Sequence, residues 1–183
     1  MMKTKYLILA QLILPALALS LLMQECKAQD KLDKKFFSAY QSDSFFFRAI
    51  GEGKDADRQE AKTRAVFYAK AEIARYAGSV IEAIIIDYLD QMGYGNDIAL
   101  KNRFISVSRE SVSASMTDVM VEDVVYKKDK DNLYTCYAKV KVEKSNVLST
   151  FADRSKSLLA DINSTVLKQV IDKEMGQGNT KQK

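Results

Sequence analysis

The spacing at which apolar residues recur changes along this 183-residue chain, and the changes mark its elements. From Tyr6 to Met23 the run is almost continuous, preceded by Lys3 and Lys5. A basic start, an apolar core and small residues before a cut are what signal peptidase reads. Phe45 to Ile50 is a short apolar run ended by Gly51 and Gly53, the pattern of a buried strand and a tight turn. Beyond it Ala61, Ala65, Ala69, Ile73, Ala77, Ile81, Ile84 and Tyr88 recur at steps of three or four, drawing one helical stripe that begins small and ends bulky. Asp57 is placed to cap the first amides of this helix, with Glu60 reaching back to the cap's own amide. Small residues at its start let the helix lie close on a sheet.

A straight helix over 57–92 would extend about 54 Å, against a radius of gyration of about 15 Å for a domain of this size. Either the helix bends at Gly78-Ser79, or its apolar end, Ile84, Ile85, Ile86, Tyr88 and Leu89, overhangs and meets another protein. After a loop at 93–97, residues 104–116 fit both periods, and their Ser, Val and Thr content favours extended structure. Val119 to Tyr126 and Leu133 to Glu143 form a hairpin in which Tyr134, Cys136, Ala138, Val140 and Val142 share one face and Thr135, Lys139 and Lys141 the other. A second helix is predicted from about Asp153 to Met175, stopped by Gly176. The predicted architecture is α+β: a long helix packed on a small antiparallel sheet, plus a C-terminal helix. Its predicted divisions are a signal peptide over 1–28, a linker over 29–44, an α+β domain over 45–148, the C-terminal helix over 149–176 and a disordered tail over 177–183.

Export sets the composition that matters. Ala28 closes a small-x-small exit, so cleavage between Ala28 and Gln29 is expected. The competing reading is acylation at Cys26, and Glu25 and Met23 occupy the places where lipoprotein signals carry a small residue and a Leu. The whole chain carries 28 basic and 24 acidic residues, a net charge of +4. Loss of Lys3, Lys5, Lys27 and Glu25 with the leader leaves only +2, too balanced for a nucleic-acid binder. Cleavage also leaves Cys136 alone, without a partner for an intramolecular disulfide. Its place in an alternating strand suits a small buried hydrophobe, with an intermolecular disulfide or a reactive thiol as the alternative.

Candidate chemistry is sparse. The chain has no His, which removes imidazole-based nucleophilic sites and His-based zinc sites. Gly51-Glu52-Gly53-Lys54-Asp55-Ala56 imitates a dinucleotide fingerprint, but Glu52, Asp55 and Asp57 would repel a pyrophosphate at that helix start. Asp87, Asp90, Asp97, Glu122 and Asp123 have neither glycosidase nor EF-hand spacing and read as solvated surface. Lys127, Lys128 and Lys130 read as a soluble hairpin tip, and Asn163-Ser164-Thr165 as a chance glycosylation triplet inside a helix. No catalytic, cofactor or metal residues are expected.

The strand ending Gly51-Glu52-Gly53, the helix with Ala61, Ala65 and Ala69, then Val121-Glu122-Asp123-Val124-Val125-Tyr126 and Tyr134-Thr135-Cys136-Tyr137-Ala138-Lys139-Val140 resemble, in motif order, the LPP-twenty envelope lipoprotein family. The resemblance covers about 45–145. It implies a compact α+β domain in the periplasm or on the outer membrane, with no catalytic residues to carry over. The chain departs from the family in lacking a convincing acylation site and in adding the last helix. Its expected role is that of a non-enzymatic exported envelope module that binds an envelope protein or itself, touching membrane only if lipidated at Cys26. The alternative is a periplasmic binder of a small or lipidic ligand, with Phe46, Tyr68, Tyr76 and Tyr134 as wall residues.

Overall fold

The computed structural model describes residues 36–37, 40–159 and 162–177, and the chain divides into units Met1–Ala39 and Tyr40–Lys183. Of the first unit, Phe36 and Phe37 are a helical pair whose rings meet edge to face at 5.2 Å. The apolar leader, the Ala28–Gln29 cleavage site, Cys26 and the tail over 178–183 lie outside the described residues.

The second unit is α+β, as its pattern predicted. Strand β1 (Phe46–Asp55) leads into helix α1 (Arg58–Gln91). Helix α2 (Ile98–Ser115) follows, then strands β2 (Met120–Lys128) and β3 (Tyr134–Glu143), and helices α3 (Lys144–Leu158) and α4 (Ser164–Gln177). The three strands form one antiparallel sheet in the order β1-β3-β2. Val142 pairs with Phe47 and Cys136 with Gly53, so the even positions of β3 and the odd positions of β1 share the face that carries α1.

Gly51 and Gly53 do not make the predicted turn. Strand β1 runs through both to Asp55, and Gly93 is the one glycine with positive φ among the described residues. What they provide is space. A Cβ on Gly51 would sit 2.0 Å from the Ala65 carbonyl oxygen and 2.4 Å from the Ala69 nitrogen. On Gly53 it would sit 2.2 Å from the Ala61 carbonyl oxygen. Strand and helix backbones therefore touch, through the alanines that start the apolar stripe. Asp57 caps α1 as expected, accepting from the amides of Gln59 and Glu60 at 2.7 and 2.9 Å. The reciprocal bond from Glu60 is absent, because Asp55 Oδ1 already accepts from the Asp57 amide.

Helix α1 continues through Gly78-Ser79 without a break. Its bulky second half is covered instead by the helices that follow. Phe104, Val107 and Val112 of α2, Val147, Leu148 and Phe151 of α3, and Leu167, Val170 and Ile171 of α4 close around Ile81, Ile84, Ile85, Tyr88 and Leu89 in one core. Phe104 links the layers, its ring centroid 5.4 Å from Tyr88 and 6.3 Å from Phe151.

Two elements differ from expectation. Residues 104–116, where extended structure was favoured, are helical up to Ser115, and the buried positions Phe104, Val107, Ser108, Ser111, Val112 and Ser115 follow the helical period. Serines on that face satisfy themselves: Ser111 Oγ donates to the Val107 carbonyl at 2.7 Å and Ser115 Oγ to the Ser111 carbonyl at 2.9 Å. The predicted C-terminal helix is two helices, and its boundary at 148/149 falls inside α3. Leu159 is extended, and Asn163 Oδ1 caps α4 by accepting from the Thr165 and Val166 amides at 3.2 Å. Asn163 is thus a helix cap at the start of α4.

Two glycine substitutions should separate close approach from backbone freedom. Gly53→Ala is expected to lower stability by roughly 3 kcal/mol, since the clash is with backbone that cannot turn aside. Gly78→Ala meets nothing within 4 Å in a helix interior, and is expected to raise stability by about 0.5–1 kcal/mol. Urea melts of both variants check the contrast.

Candidate functional site

Ile84, Ile85, Tyr88 and Leu89, the expected interaction surface, are no more than 2% exposed and belong to the core. Tyr88 is anchored further by its hydroxyl, which accepts from the Asn163 amide at 2.9 Å. Only Ile86 of that set reaches solvent, at 44% exposure. Burial by three later helices is a tertiary fact that the local sequence around Ile84 does not carry.

Exposed apolar surface lies elsewhere on α1. Phe67 is 66% and Tyr68 58% exposed, and their rings meet edge to face at 5.7 Å. Ala71, one turn on from Phe67, is exposed beside them, and Ala83 and Ile86 continue the solvent side further along. Neither Phe67 nor Tyr68 belongs to a core cluster. The signal that would have found them is the placement of Phe67 and Tyr68 between the stripe positions Ala65 and Ala69.

The proposed ligand walls do not converge. Tyr68 faces solvent, and Tyr134 packs on the small cluster of Ala61, Ala65, Cys136 and Ala138. Phe46 lies on the opposite sheet face beneath Arg48 and Lys141, at 5.0 and 4.8 Å from ring centroid to cation. Tyr76 lines a cleft, an opening of about 580 Å³ along the free edge of β1. Its other walls are Tyr40, Gln41 and Ser42, Phe47 to Ile50, Glu72, Ser79 and Val80 of α1, and Lys144. A second, apolar groove of about 400 Å³ runs between α3 and α4 over Leu148, Ala152, Leu167, Ile171 and Met175. A third opening, about 320 Å³, sits where Tyr94, Arg103 and Ile162 meet at the far end of α1.

The acidic residues disperse. Asp87 pairs with Lys173 at 2.9 Å, fastening α1 to α4, and Asp97 caps α2 by accepting from the Leu100 amide at 2.9 Å. Among the described residues, no three acidic or thiol groups converge on a point where a metal could sit. The Gly51–Gly53 segment offers no phosphate cradle, because the backbone of α1 fills it. Cys136 is fully buried, and burial first of all pushes its thiol up from the ordinary value, against the opposing pull of Lys62, Arg58 and Tyr126. The thiolate that a reactive cysteine needs is disfavoured there.

On the outer sheet face a bulge between Val121 and Asp123 turns out Glu122, which holds Lys141 at 2.5 Å and accepts from the Tyr40 hydroxyl at 2.6 Å. Tyr40 lies beneath Arg48 and Lys139, with cation-to-ring distances of 6.0 and 5.0 Å. Burial, then the hydrogen bond and charge of Glu122, raise the Tyr40 hydroxyl far above its ordinary value. Asp43, held low by the Arg48 ion pair and the Phe45 and Phe46 amides against the cost of its burial, secures the same strap onto β1. The segment 40–44 is thus an ordered edge cover, where the sequence suggested a linker.

No family model matches the chain, and no curated protein is significantly similar to it. Among solved structures, the chain is similar to the secreted protein HP1454 from the human pathogen Helicobacter pylori, at 13% identity and a TM-score of 0.30. The likeness covers 73% of this chain and 53% of that one, so the chain spans about half the length of that protein. At that level the functional reading rests on the chain's own residues.

Two measurements test these placements. Ile84→Ala should cost about 2–5 kcal/mol of stability in a urea melt, the penalty of a buried cavity. Tyr40→Phe should cost about 1 kcal/mol at neutral pH. A folded-state value raised above about 10 means the hydroxyl stabilises the fold fully below pH 10, and that contribution fades as pH climbs toward the folded value. The stability gap between wild type and Y40F should therefore shrink steadily above pH 10, and a gap constant to pH 11 would contradict the assignment.

Proposed function

We propose that this chain is a non-catalytic, exported envelope module whose work is binding another protein or itself, through the outward face of α1 around Phe67, Tyr68 and Ala71. The observation that carries the reading is the exposure of two large aromatics, side by side, on a helix whose opposite face is fully packed. Contiguous exposed apolar surface marks an interaction site, and aromatic residues dominate the energetic centres of interfaces. The absence of His and the dispersal of the carboxylates support a role without catalysis.

Export rests on the leader-like start of the sequence. An LPP-twenty-like place in the periplasm or at the outer membrane rests on the motif order over about 45–145. Among the described residues no helix is long and apolar enough to cross a membrane. Contact with a membrane would then depend on acyl chains at Cys26.

Intact native mass spectrometry and sedimentation of the protein taken from its own envelope test the reading. A defined multimer or a stoichiometric second protein is expected, and Phe67→Ser with Tyr68→Ser should abolish it while leaving the urea midpoint within about 0.5 kcal/mol of wild type. A bare monomer, or an assembly indifferent to both substitutions, would overturn it. The same mass distinguishes cleavage after Ala28 from acylation at Cys26.

A further inference from the structure

The cleft along β1 has a polar inventory that does not balance. Arg48 is paired with Asp43, and Glu72 holds Arg75 at 2.6 Å. Ser42 Oγ accepts from the Arg48 amide at 2.9 Å, and Ser79 Oγ donates to the Arg75 carbonyl at 3.1 Å. Tyr40 is committed to Glu122. Among the charged groups Lys144 is the exception: its amide is fixed by the Phe45 carbonyl at 2.9 Å, yet its ammonium makes no ion pair or hydrogen bond among the described residues. It rests 5.1 Å from the centroid of the Phe47 ring, half-buried. Burial pushes it below the ordinary lysine value, and Asp43 and Glu174 oppose that shift without pairing with it.

An unpaired, partly desolvated cation gains most from a small anion that enters the same low-dielectric space. Phe47, Ala49, Ile50, Val80 and the ring of Tyr76 supply the apolar part of the wall around it, beside the polar Gln41, Ser42 and Ser79 and the paired Arg48 and Glu72. About 580 Å³ lies within the range of about 300–1,000 Å³ typical of small-ligand sites, which are mostly apolar with a few placed polar groups.

We propose that this cleft binds a small carboxylate with an apolar body, its carboxylate on the Lys144 ammonium and its body along Phe47, Ile50, Tyr76 and Val80. The site is separate from the exposed face of α1 at Phe67 and Tyr68, so its occupancy is independent of the interaction reading. Arg48 and Glu72, already neutralised by their own partners, leave Lys144 to set the charge preference.

Decanoate, used below its micelle concentration, and uncharged 1-decanol are the probes, titrated calorimetrically into the whole chain. Decanoate should bind at least tenfold more tightly than decanol. Lys144→Met, which keeps the stem and removes the charge, should lose that tenfold preference and leave decanol binding unchanged. Chemical-shift changes in the wild-type protein should centre on Phe47, Val80 and Lys144, so the site is located even where a variant folds poorly. Equal affinity for the two probes, an unaltered preference in K144M, or shifts centred on the α3–α4 groove would each overturn the assignment.

Discussion

Everything in this fold hangs on the contact between the β1 backbone at Gly51 and Gly53 and the α1 backbone at Ala61, Ala65 and Ala69. With no side chain between them, helix and strand approach more closely than a bulky interface allows, and α1 is fixed directly above an edge strand of the sheet. The helix direction then follows. Ten residues of β1 span about 33 Å, whereas the 34 residues of α1 extend about 51 Å. A helix seated at its N-terminal end must therefore run off the sheet, and it does so at the point where its stripe changes from Ala to Ile and Tyr. The later helices α2, α3 and α4 exist as a cover for that overhang. Removing the close contact would displace the surface on which all three are assembled.

What could be read in the sequence is what local signals encode. Asp57 announced α1 because capping is a property of four neighbouring residues, and the β2–β3 hairpin showed because strand alternation has a period of two. Helix α2 was hidden by the buried Ser108, Ser111 and Ser115, polar residues on its core face, of which Ser111 and Ser115 bond their hydroxyls inside their own helix. The break before α4 was hidden in the same way: Asn163 reads as an ordinary helical position unless its capping role is weighed. Gly51 and Gly53 were visible, but a glycine needed for positive φ and one needed for proximity look alike until the opposing alanines are placed against them. The candidate sites were less legible still. Ile84 to Leu89 looked like surplus apolar surface, and whether such surface is covered depends on elements up to about eighty residues away. Lys144 carries no local mark, since its meaning comes from the partners it lacks.

The seat of α1 also restricts how two copies could join. An open edge strand invites pairing with a second chain, and the Ser42 and Asp43 strap covers the outward backbone of β1 only near Phe46 and Arg48. Antiparallel pairing of two β1 strands around Gly53 would even match Glu52 of one copy with Lys54 of the other. Yet paired strands stand about 4.8 Å apart, and each would carry its own α1 directly overhead. Helices need about 8–10 Å between axes, so the two α1 helices would occupy the same space near Ala61 and Ala65. The contact that builds the monomer thus closes β1 to strand exchange with a second copy. Self-assembly is left to surfaces that α1 does not obstruct, and its own outward face, with Phe67 and Tyr68 already in water, offers apolar area to bury.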